Sequence, residues 1–554
     1  MILQPVFDIA EICSKKGVKK VIICPGSRNA PLTLAFARHP HINCYSVPDE
    51  RSAAFIGLGM AIKSKSPVVV LCTSGSAAYN FAPAVAEAFF SQIPLIILTA
   101  DRPQEWIGQL DGQTIYQENI FGKHVKASHT YPSDYENKDV VWHCHRLINE
   151  SINLACEYPF GPVHINVPLR EPFYPKENEK TNYSADIKIT ELEIVESIIG
   201  KLTPEISAYQ NILIIGGQNQ NNPELSSVLS DLSEKFKIPI IADVISNLHK
   251  VKKSITAQDI FLKNKGNFEK LKPELIISFG KSVISKNLKL FLRQVKPTQH
   301  WHIQPAGEVA DTFQSLTKII RCNPIVYFRH ILQNEDIKAQ NVYYNNWQKV
   351  NARAKEKLEK QLSSSNVFSE FKAFKNVIDE LPNHIDLHLA NSMAIRYVNF
   401  IGLDKKTDVE VFANRGTSGI DGSVSTALGA ALSSKREVYI MIGDMAFFYD
   451  RNAFWHNDLP SNLKIVLFNN HGGGIFRMID GPSKQPELKE FFETDQKLNA
   501  GHLSNEFDLN YTLCSNMTEL TNGISQLVKP STKPFILEIE TNSEVNKKVY
   551  KEII

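Results

Sequence analysis

Three stretches in which short apolar runs alternate with helical patterns predict an α/β protein of three parallel-sheet domains. The first observation is the runs themselves. Residues 67–72, 211–215, 437–442 and 463–468 are apolar runs of five or six residues bounded by turn residues, the mark of strands buried on both faces. The second is what separates the strands: helical patterns long enough for the crossovers that parallel strands require. The third is punctuation. A chain of 554 residues suits about three domains of ordinary size. Two polar segments, 174–190 and Ser363-Ser364-Ser365-Asn366, divide it. The expected domains are 1–180, 190–345 and 367–554.

Along the first domain, a helix over Pro5–Gly17 precedes a strand at Lys20–Cys24 and the loop Pro25-Gly26-Ser27-Arg28-Asn29-Ala30-Pro31. A helix (Leu32–Arg38) and a short strand near Ile42–Ser46 follow, and Asp49-Glu50-Arg51-Ser52 opens an Ala- and Gly-rich helix to Lys63. The strand ending at Cys72 leads into Thr73-Ser74-Gly75-Ser76-Ala77, one helix to Phe90, a strand at Ile93–Thr99, and Ala100-Asp101-Arg102-Pro103. In the second domain, Gly216-Gly217-Gln218-Asn219 after a strand is not a dinucleotide fingerprint. Phe279-Gly280-Lys281-Ser282 lacks the first glycine of a phosphate loop, since position 275 is Leu. A charged helix over Val342–Gln361 leads to the third domain. There a strand at Val409–Phe412 ends in Asn414-Arg415-Gly416-Thr417-Ser418-Gly419-Ile420-Asp421-Gly422, followed by a small-residue helix, Ser423–Leu432. The first and third domains share this layout of strand, Gly-rich loop and helix.

Composition narrows the function. A net charge of +2 leaves no global argument for nucleic-acid binding. No apolar run approaches membrane-spanning length, and the chain runs into a helix and strand without a signal peptide, so a cytoplasmic enzyme is the expectation. The eight Cys form no Cys-x-x-Cys or zinc spacing and are expected to be reduced and mostly buried. His143-Cys144-His145 falls in a helical pattern, where neighbours point different ways, and reads as structural.

The most informative stretch runs from Gly443 to Phe476. The strand 437–442 delivers Gly443-Asp444-Met445 and a helical pattern from about Ala446 to Asn457; the next strand, Leu463–Phe468, delivers Asn469-Asn470. Asp444 and Asn470 lie 26 positions apart (470 minus 444) and are expected at neighbouring strand ends, facing the crevice where open α/β sheets bind ligands. A carboxylate, an amide oxygen and a loop carbonyl at Gly472 are hard oxygen donors suited to Mg2+ (or Mn2+), which completes its shell with phosphate oxygens and water. The following helix N-terminus offers backbone N–H groups to the same phosphates.

Gly-Asp followed some 25 residues later by Asn-Asn resembles the motif of the thiamine diphosphate enzymes, with Met445 where many members carry Gly. The resemblance implies three domains (pyrimidine-binding, central and diphosphate-binding), with the cofactor held between subunits of a homodimer or dimer of dimers. It implies that Glu50 activates the cofactor at its aminopyrimidine ring, a task favoured by partial desolvation. Ile420 becomes the apolar wedge beneath the cofactor. Ser74, Gly75, Asn80, Gly419, Gly443, Asp444, Met445, Asn470, Gly473 and Ile475 complete the cofactor set.

Further segments match as well, Asn469-Asn-His-Gly-Gly-Gly-Ile-Phe476 among them, and three are more specific than the cofactor motif: Pro25-Gly-Ser-Arg-Asn-Ala-Pro, Thr99-Ala-Asp-Arg-Pro103 and Asn414-Arg-Gly-Thr-Ser-Gly-Ile-Asp-Gly422. They resemble the menaquinone-pathway branch of the family, which decarboxylates 2-oxoglutarate and adds the succinyl unit to isochorismate. Both substrates are dicarboxylates, and Arg is the side chain suited to gripping carboxylates. By resemblance Ser392 and Arg396, four residues apart and expected on one helical face, take the distal carboxylate of 2-oxoglutarate. Ser27, Arg28, Arg102 and Gln113 serve isochorismate or its adduct. Arg415 and Lys286 add charge, and Phe476 with Met478 or Ile479 walls the intermediate. Asn287 stands where some members are expected to carry Arg. The rival expectations are an acetolactate synthase-like or other 2-oxoacid decarboxylase, and a catalytically idle paralogue.

Overall fold

The computed structural model describes residues 3–175, 182–193, 206–404, 406 and 408–554. The valine- and isoleucine-rich runs form strands because β-branched side chains pack well on a pleated surface buried from both sides. They assemble into three wholly parallel sheets. The first contains β1 (Lys20–Ile23), β2 (Asn43–Ser46), β3 (Val68–Cys72), β4 (Leu95–Asp101), β5 (Ser128–Thr130) and β6 (Val163–Pro168), in the order β2-β1-β3-β4-β6-β5. The second contains β7 (Ile212–Gly216), β8 (Ile240–Ala242), β9 (Leu275–Phe279), β10 (Gln299–Ile303) and β11 (Lys318–Ile320), in the order β11-β10-β9-β7-β8. The third contains β12 (Ile385–Leu389), β13 (Val409–Phe412), β14 (Glu437–Gly443), β15 (Leu463–Asn469), β16 (Asn510–Cys514) and β17 (Phe535–Glu540), in the order β13-β12-β14-β15-β17-β16. Counted from its own first strand, the third sheet repeats the order of the first, so the layout shared in sequence is a shared topology. In both, the order reverses beside the first strand, where a crevice opens at the strand ends.

The first and third sheets are joined through one continuous core. Ala53, Ala54 and Ile56 of the Glu50–Ser64 helix pack with Val424, Ala427 and Leu428 of the Ser423–Ala431 helix. Glycine makes this approach possible. A Cβ on Gly59 would lie 1.9 Å from the Thr426 carbonyl oxygen, and one on Gly429 would lie 2.0 Å from that of Ile56.

The elements depart from expectation at several points. The helix expected from 446 to 457 begins at Asp444, stops at Tyr449 and resumes as a 3-10 turn, Arg451–Phe454. The cause is Asp450, whose buried carboxylate turns away to accept bonds from the Ser425 N–H (2.7 Å) and hydroxyl (2.8 Å). The helix expected to run to Phe90 is two, Ser76–Asn80 and Ala82–Ser91, because Pro83 has no N–H to continue the ladder. Part of the 174–190 linker lies outside the described residues. Its end is strapped to the first unit: Tyr183 donates to the Ala35 carbonyl (2.7 Å) and Ile187 is buried. At the other boundary the Asn341–Ser364 helix runs into the serine segment and buries Leu358 and Leu362 in the third unit. In the middle unit, Gly217 lies against the loop after β9, since a Cβ there would sit 2.2 Å from the Lys281 carbonyl oxygen. Cys144 is buried and the neighbouring His145 ring bonds to Asp8 (2.8 Å), a packing role for both. No described helix is long and apolar enough to cross a membrane.

Candidate active site

The expected site residues fall at corresponding strand ends of the two like sheets. Ser27 and Arg28 follow β1 as Ser392 and Arg396 follow β12. Glu50 follows β2 as Arg415 and Ile420 follow β13. Ser74 and Gly75 follow β3 as Asp444 follows β14. Arg102 follows β4 as Asn470 follows β15.

At the third sheet, β14 and β15 are paired in register, with Gly443 opposite Phe468, so Asp444 and Asn470 emerge side by side. Asp444 is buried, and its Oδ2 accepts from the Gly472 N–H (2.7 Å) and the Gln496 amide (2.8 Å). Burial pushes its carboxyl up to about 6. The Asn470 amide nitrogen donates to Glu370 at 2.5 Å, while its Oδ1 is buried with no partner among the described residues. Glu370 is buried as well and pushed up to about 7 by that burial. An unsatisfied buried amide oxygen beside a desolvated carboxylate and a glycine loop is a donor set that suits a hard divalent cation. The loop is crowded at three consecutive positions: a Cβ on Gly472 would lie 2.9 Å from the Glu493 carbonyl oxygen, one on Gly473 3.1 Å from the Phe476 ring, and one on Gly474 2.8 Å from the Asn470 amide. Ile475 is half-buried against the third unit's core, and Gly443 and Met445 border Asp444. Phe476 meets Phe492 with ring centroids 5.9 Å apart, while Met478 packs into the core and Ile479 is exposed.

Ile420 is 40% exposed on a braced loop. Asn391 donates to the carbonyls of Asn414 (2.8 Å) and Gly419 (2.7 Å), and Asn414 donates to Thr426 (2.9 Å). A large apolar side chain held rigidly in the open fits a wedge. Glu50 is half-buried; desolvation, with the Asp49 charge adding, holds its carboxyl above the ordinary range. Its neighbours cross to the third unit. Asp49 accepts from Asn452 (2.7 Å), and Arg51 donates to the Tyr449 carbonyl (2.8 Å) and lies over the Tyr449 ring.

The basic residues form two groups. Arg396 and Arg415 are half-buried cations, each desolvated enough to oppose its charge, and Arg396 adds to the effect on Arg415. Arg415 donates to Asn391 at 2.7 Å, and its Nε is buried without a partner. Arg396 donates to the Ser392 carbonyl. Ser392 is therefore not on the helix as expected; it precedes Met393–Ile401 at φ +72° and meets Arg396 through its backbone. Among the described residues neither guanidinium pairs with a carboxylate. In the second group Arg28 donates to the Leu169 carbonyl (3.1 Å) and stacks over Phe173. Arg102 binds Asp111 (2.5 Å), the buried Ser74 hydroxyl (2.5 Å) and the Gln113 carbonyl (3.3 Å). Gly75, at φ +88°, packs on the Gln113 backbone. Asn80 is exposed one turn on.

Lys286 is exposed at the start of its helix, and Asn287 is turned to Asp259, donating to its carbonyl at 2.6 Å. Lys289, one turn further, is half-buried with its charge beside that of Arg415. Sequence reasoning overlooked it, although three-residue spacing from Lys286 places both on one helical side. It also overlooked Gln117, which accepts from Gly75 (2.7 Å) and donates to the Ala100 carbonyl (3.0 Å) and Asn166 (2.9 Å), pinning the loops after β3 and β4 together. Glu370 and Gln496 had no motif to announce them.

Comparison with known proteins identifies the family. Residues 6–125 match the thiamine pyrophosphate enzyme N-terminal TPP binding domain, and residues 200–389 match the middle domain of thiamine pyrophosphate enzymes. Fold and site thus define a thiamine pyrophosphate-dependent enzyme. A 2-succinyl-5-enolpyruvyl-6-hydroxy-3-cyclohexene-1-carboxylate synthase from Cytophaga hutchinsonii is 45% identical, over 99% of this chain and 98% of its own. The synthase of that name from Flavobacterium johnsoniae is 41% identical over the same shares, and the one from Bacteroides fragilis is 35% identical over the same shares. The chain belongs to this synthase family.

Proposed function

We propose that the protein decarboxylates 2-oxoglutarate and adds the resulting succinyl unit to isochorismate, releasing CO2 and 2-succinyl-5-enolpyruvyl-6-hydroxy-3-cyclohexene-1-carboxylate, a step of menaquinone biosynthesis. The observation that carries the reading is the pair of half-buried guanidiniums of Arg396 and Arg415, at the ends of β12 and β13 in the sheet that also carries Asp444 and Asn470, neither of them paired with a carboxylate among the described residues. A partly desolvated cation without a counter-ion is unfavourable and is relieved by an anionic ligand. A pyruvate-specific decarboxylase has no distal carboxylate for them to meet.

Thiamine diphosphate, when bound, supplies the electron sink for decarboxylation. Asp444, the Asn470 amide oxygen and the Gly472 carbonyl would hold Mg2+ (or Mn2+), and Ile420 would pack against the cofactor. Glu50, desolvated, would serve as the acid–base group toward the aminopyrimidine ring. Ser392, Arg396 and Arg415, with Lys289 in place of a basic residue at 287, orient the dicarboxylate chain. Ser27, Arg28, Arg102 and Gln113 face the second substrate, for which Arg102 exchanges Asp111 for a substrate carboxylate. The working domain division remains 1–180, 190–345 and 367–554, each with a sheet of its own, in a cytoplasmic homodimer or dimer of dimers.

CO2 release from 2-oxoglutarate in the presence of thiamine diphosphate and Mg2+, measured with and without isochorismate, tests the reading. Coupled release with an adduct of the expected mass is the predicted result. Equal release without isochorismate, or preference for pyruvate, refutes it.

A further inference from the structure

We propose that Glu370 is a positioning residue that fixes which atom of the Asn470 amide faces the metal. The inference rests on the metal–diphosphate reading above and goes beyond it, because Glu370 belongs to no motif of that site. An asparagine amide is nearly symmetric in shape, and only its oxygen can ligate a hard cation. Turned by half a revolution, it would present N–H groups to the metal instead. Something must therefore break the symmetry.

The surroundings single out Glu370. Its side chain is 3% exposed at the start of the Glu370–Glu380 helix, 100 residues before Asn470 in sequence, and its Oε1 lies 2.5 Å from the Asn470 amide nitrogen. The residue itself is held from behind: its backbone N–H donates to Asn546 (2.9 Å), which in turn donates to Thr541 (3.0 Å). Its Oε1 accepts from the amide nitrogen, which leaves Oδ1 on the opposite side. That oxygen is the buried atom without a partner. Gly474 leaves room for the amide in this position, since a Cβ there would lie 2.8 Å from its nitrogen. Such outer partners typically change metal affinity 10- to 100-fold.

The test is the Mg2+ dissociation constant of the thiamine diphosphate complex, titrated by intrinsic fluorescence, for the parent chain, Glu370→Gln and Glu370→Leu. Thermal unfolding of the metal-free proteins is measured in parallel. Glu370→Gln keeps the shape but can donate as well as accept, so it no longer dictates the amide orientation. Mg2+ binding is expected to weaken about tenfold in Glu370→Gln and more in Glu370→Leu, with the metal-free Tm of Glu370→Gln unchanged. Cofactor affinity at saturating Mg2+ should stay near that of the parent. A Mg2+ constant within twofold of the parent in Glu370→Gln overturns the proposal, as does a loss explained by a fall in metal-free Tm. A Glu370→Leu chain that does not fold leaves Glu370→Gln to decide. If the parent shows no Mg2+-dependent cofactor binding, the site reading and this proposal fall together; if the parent binds and Glu370→Gln is unaffected, the proposal falls alone.

Discussion

Glu50 illustrates how little a residue's identity says without its surroundings. A glutamate at a helix start is usually a solvated charge near the positive end of the dipole. Here desolvation opposes ionisation and the adjacent Asp49 charge adds to it. Glu50→Gln is expected to lower turnover by at least about 100-fold, the scale of a lost general acid–base group, while thiamine diphosphate still binds with near-parent affinity in a fluorescence titration. Turnover within threefold of the parent at saturating cofactor would remove Glu50 from its role. Asp450 offers a test of pH dependence away from the metal. Burial raises its carboxyl to about 7, so between the ordinary aspartate range and that value the folded chain holds a proton the unfolded chain has lost. Stability from this group is therefore present at low pH and falls as pH rises through about 7. The Tm advantage of the parent over Asp450→Asn should shrink between pH 5.5 and pH 7.5, a window set by that raised value and the ordinary aspartate value of about 3.9. A constant difference would show that Asp450 does not titrate there.

Among the elements, the contact between the Glu50–Ser64 and Ser423–Ala431 helices does the most to relate the two like sheets. Its closeness depends on Gly59 and Gly429, each occupying space where a methyl group would collide with a carbonyl of the facing helix. Gly429→Ala should therefore destabilise, although alanine favours a helix: overpacking costs about 1–3 kcal/mol or more, against about 1 kcal/mol gained in propensity. A Tm equal to or above that of the parent would contradict this packing. The same interface seats Glu50, because Asp49 and Arg51 on either side of it grip the segment after Asp444.

For the whole molecule, the question is what covers its exposed apolar side chains. Tyr79 (58% exposed), Phe90 (53%), Trp455 (54%) and Phe491 (70%) are exposed on the first and third units. Exposed large aromatics in such numbers mark association surfaces. The chain is expected to sediment as at least a dimer at micromolar concentration. A monodisperse, fully active monomer would refute the shared-site arrangement.

The parallel α/β class and the strand-end motifs were legible in the chain alone. Both depend on local pattern: short apolar runs rich in β-branched residues and bounded by turns favour buried strands, and Gly-Asp and Asn-Asn mark where those strands end. The identical order of the first and third sheets was foreshadowed by their shared loop layout, but strand order is a matter of pairing, which local pattern does not carry. The tertiary structure alone decided the rest. It broke the 446–457 helix because Asp450 had a buried partner in Ser425, remote in sequence. It placed Ser392 before its helix, turned Asn287 toward Asp259 and brought Lys289 beside Arg415. It also set Glu370 behind Asn470. Ser392 apart, whose partner Arg396 is four residues on, the deciding interactions join residues far apart in the chain and depend on packing that exists only after the sheets have assembled.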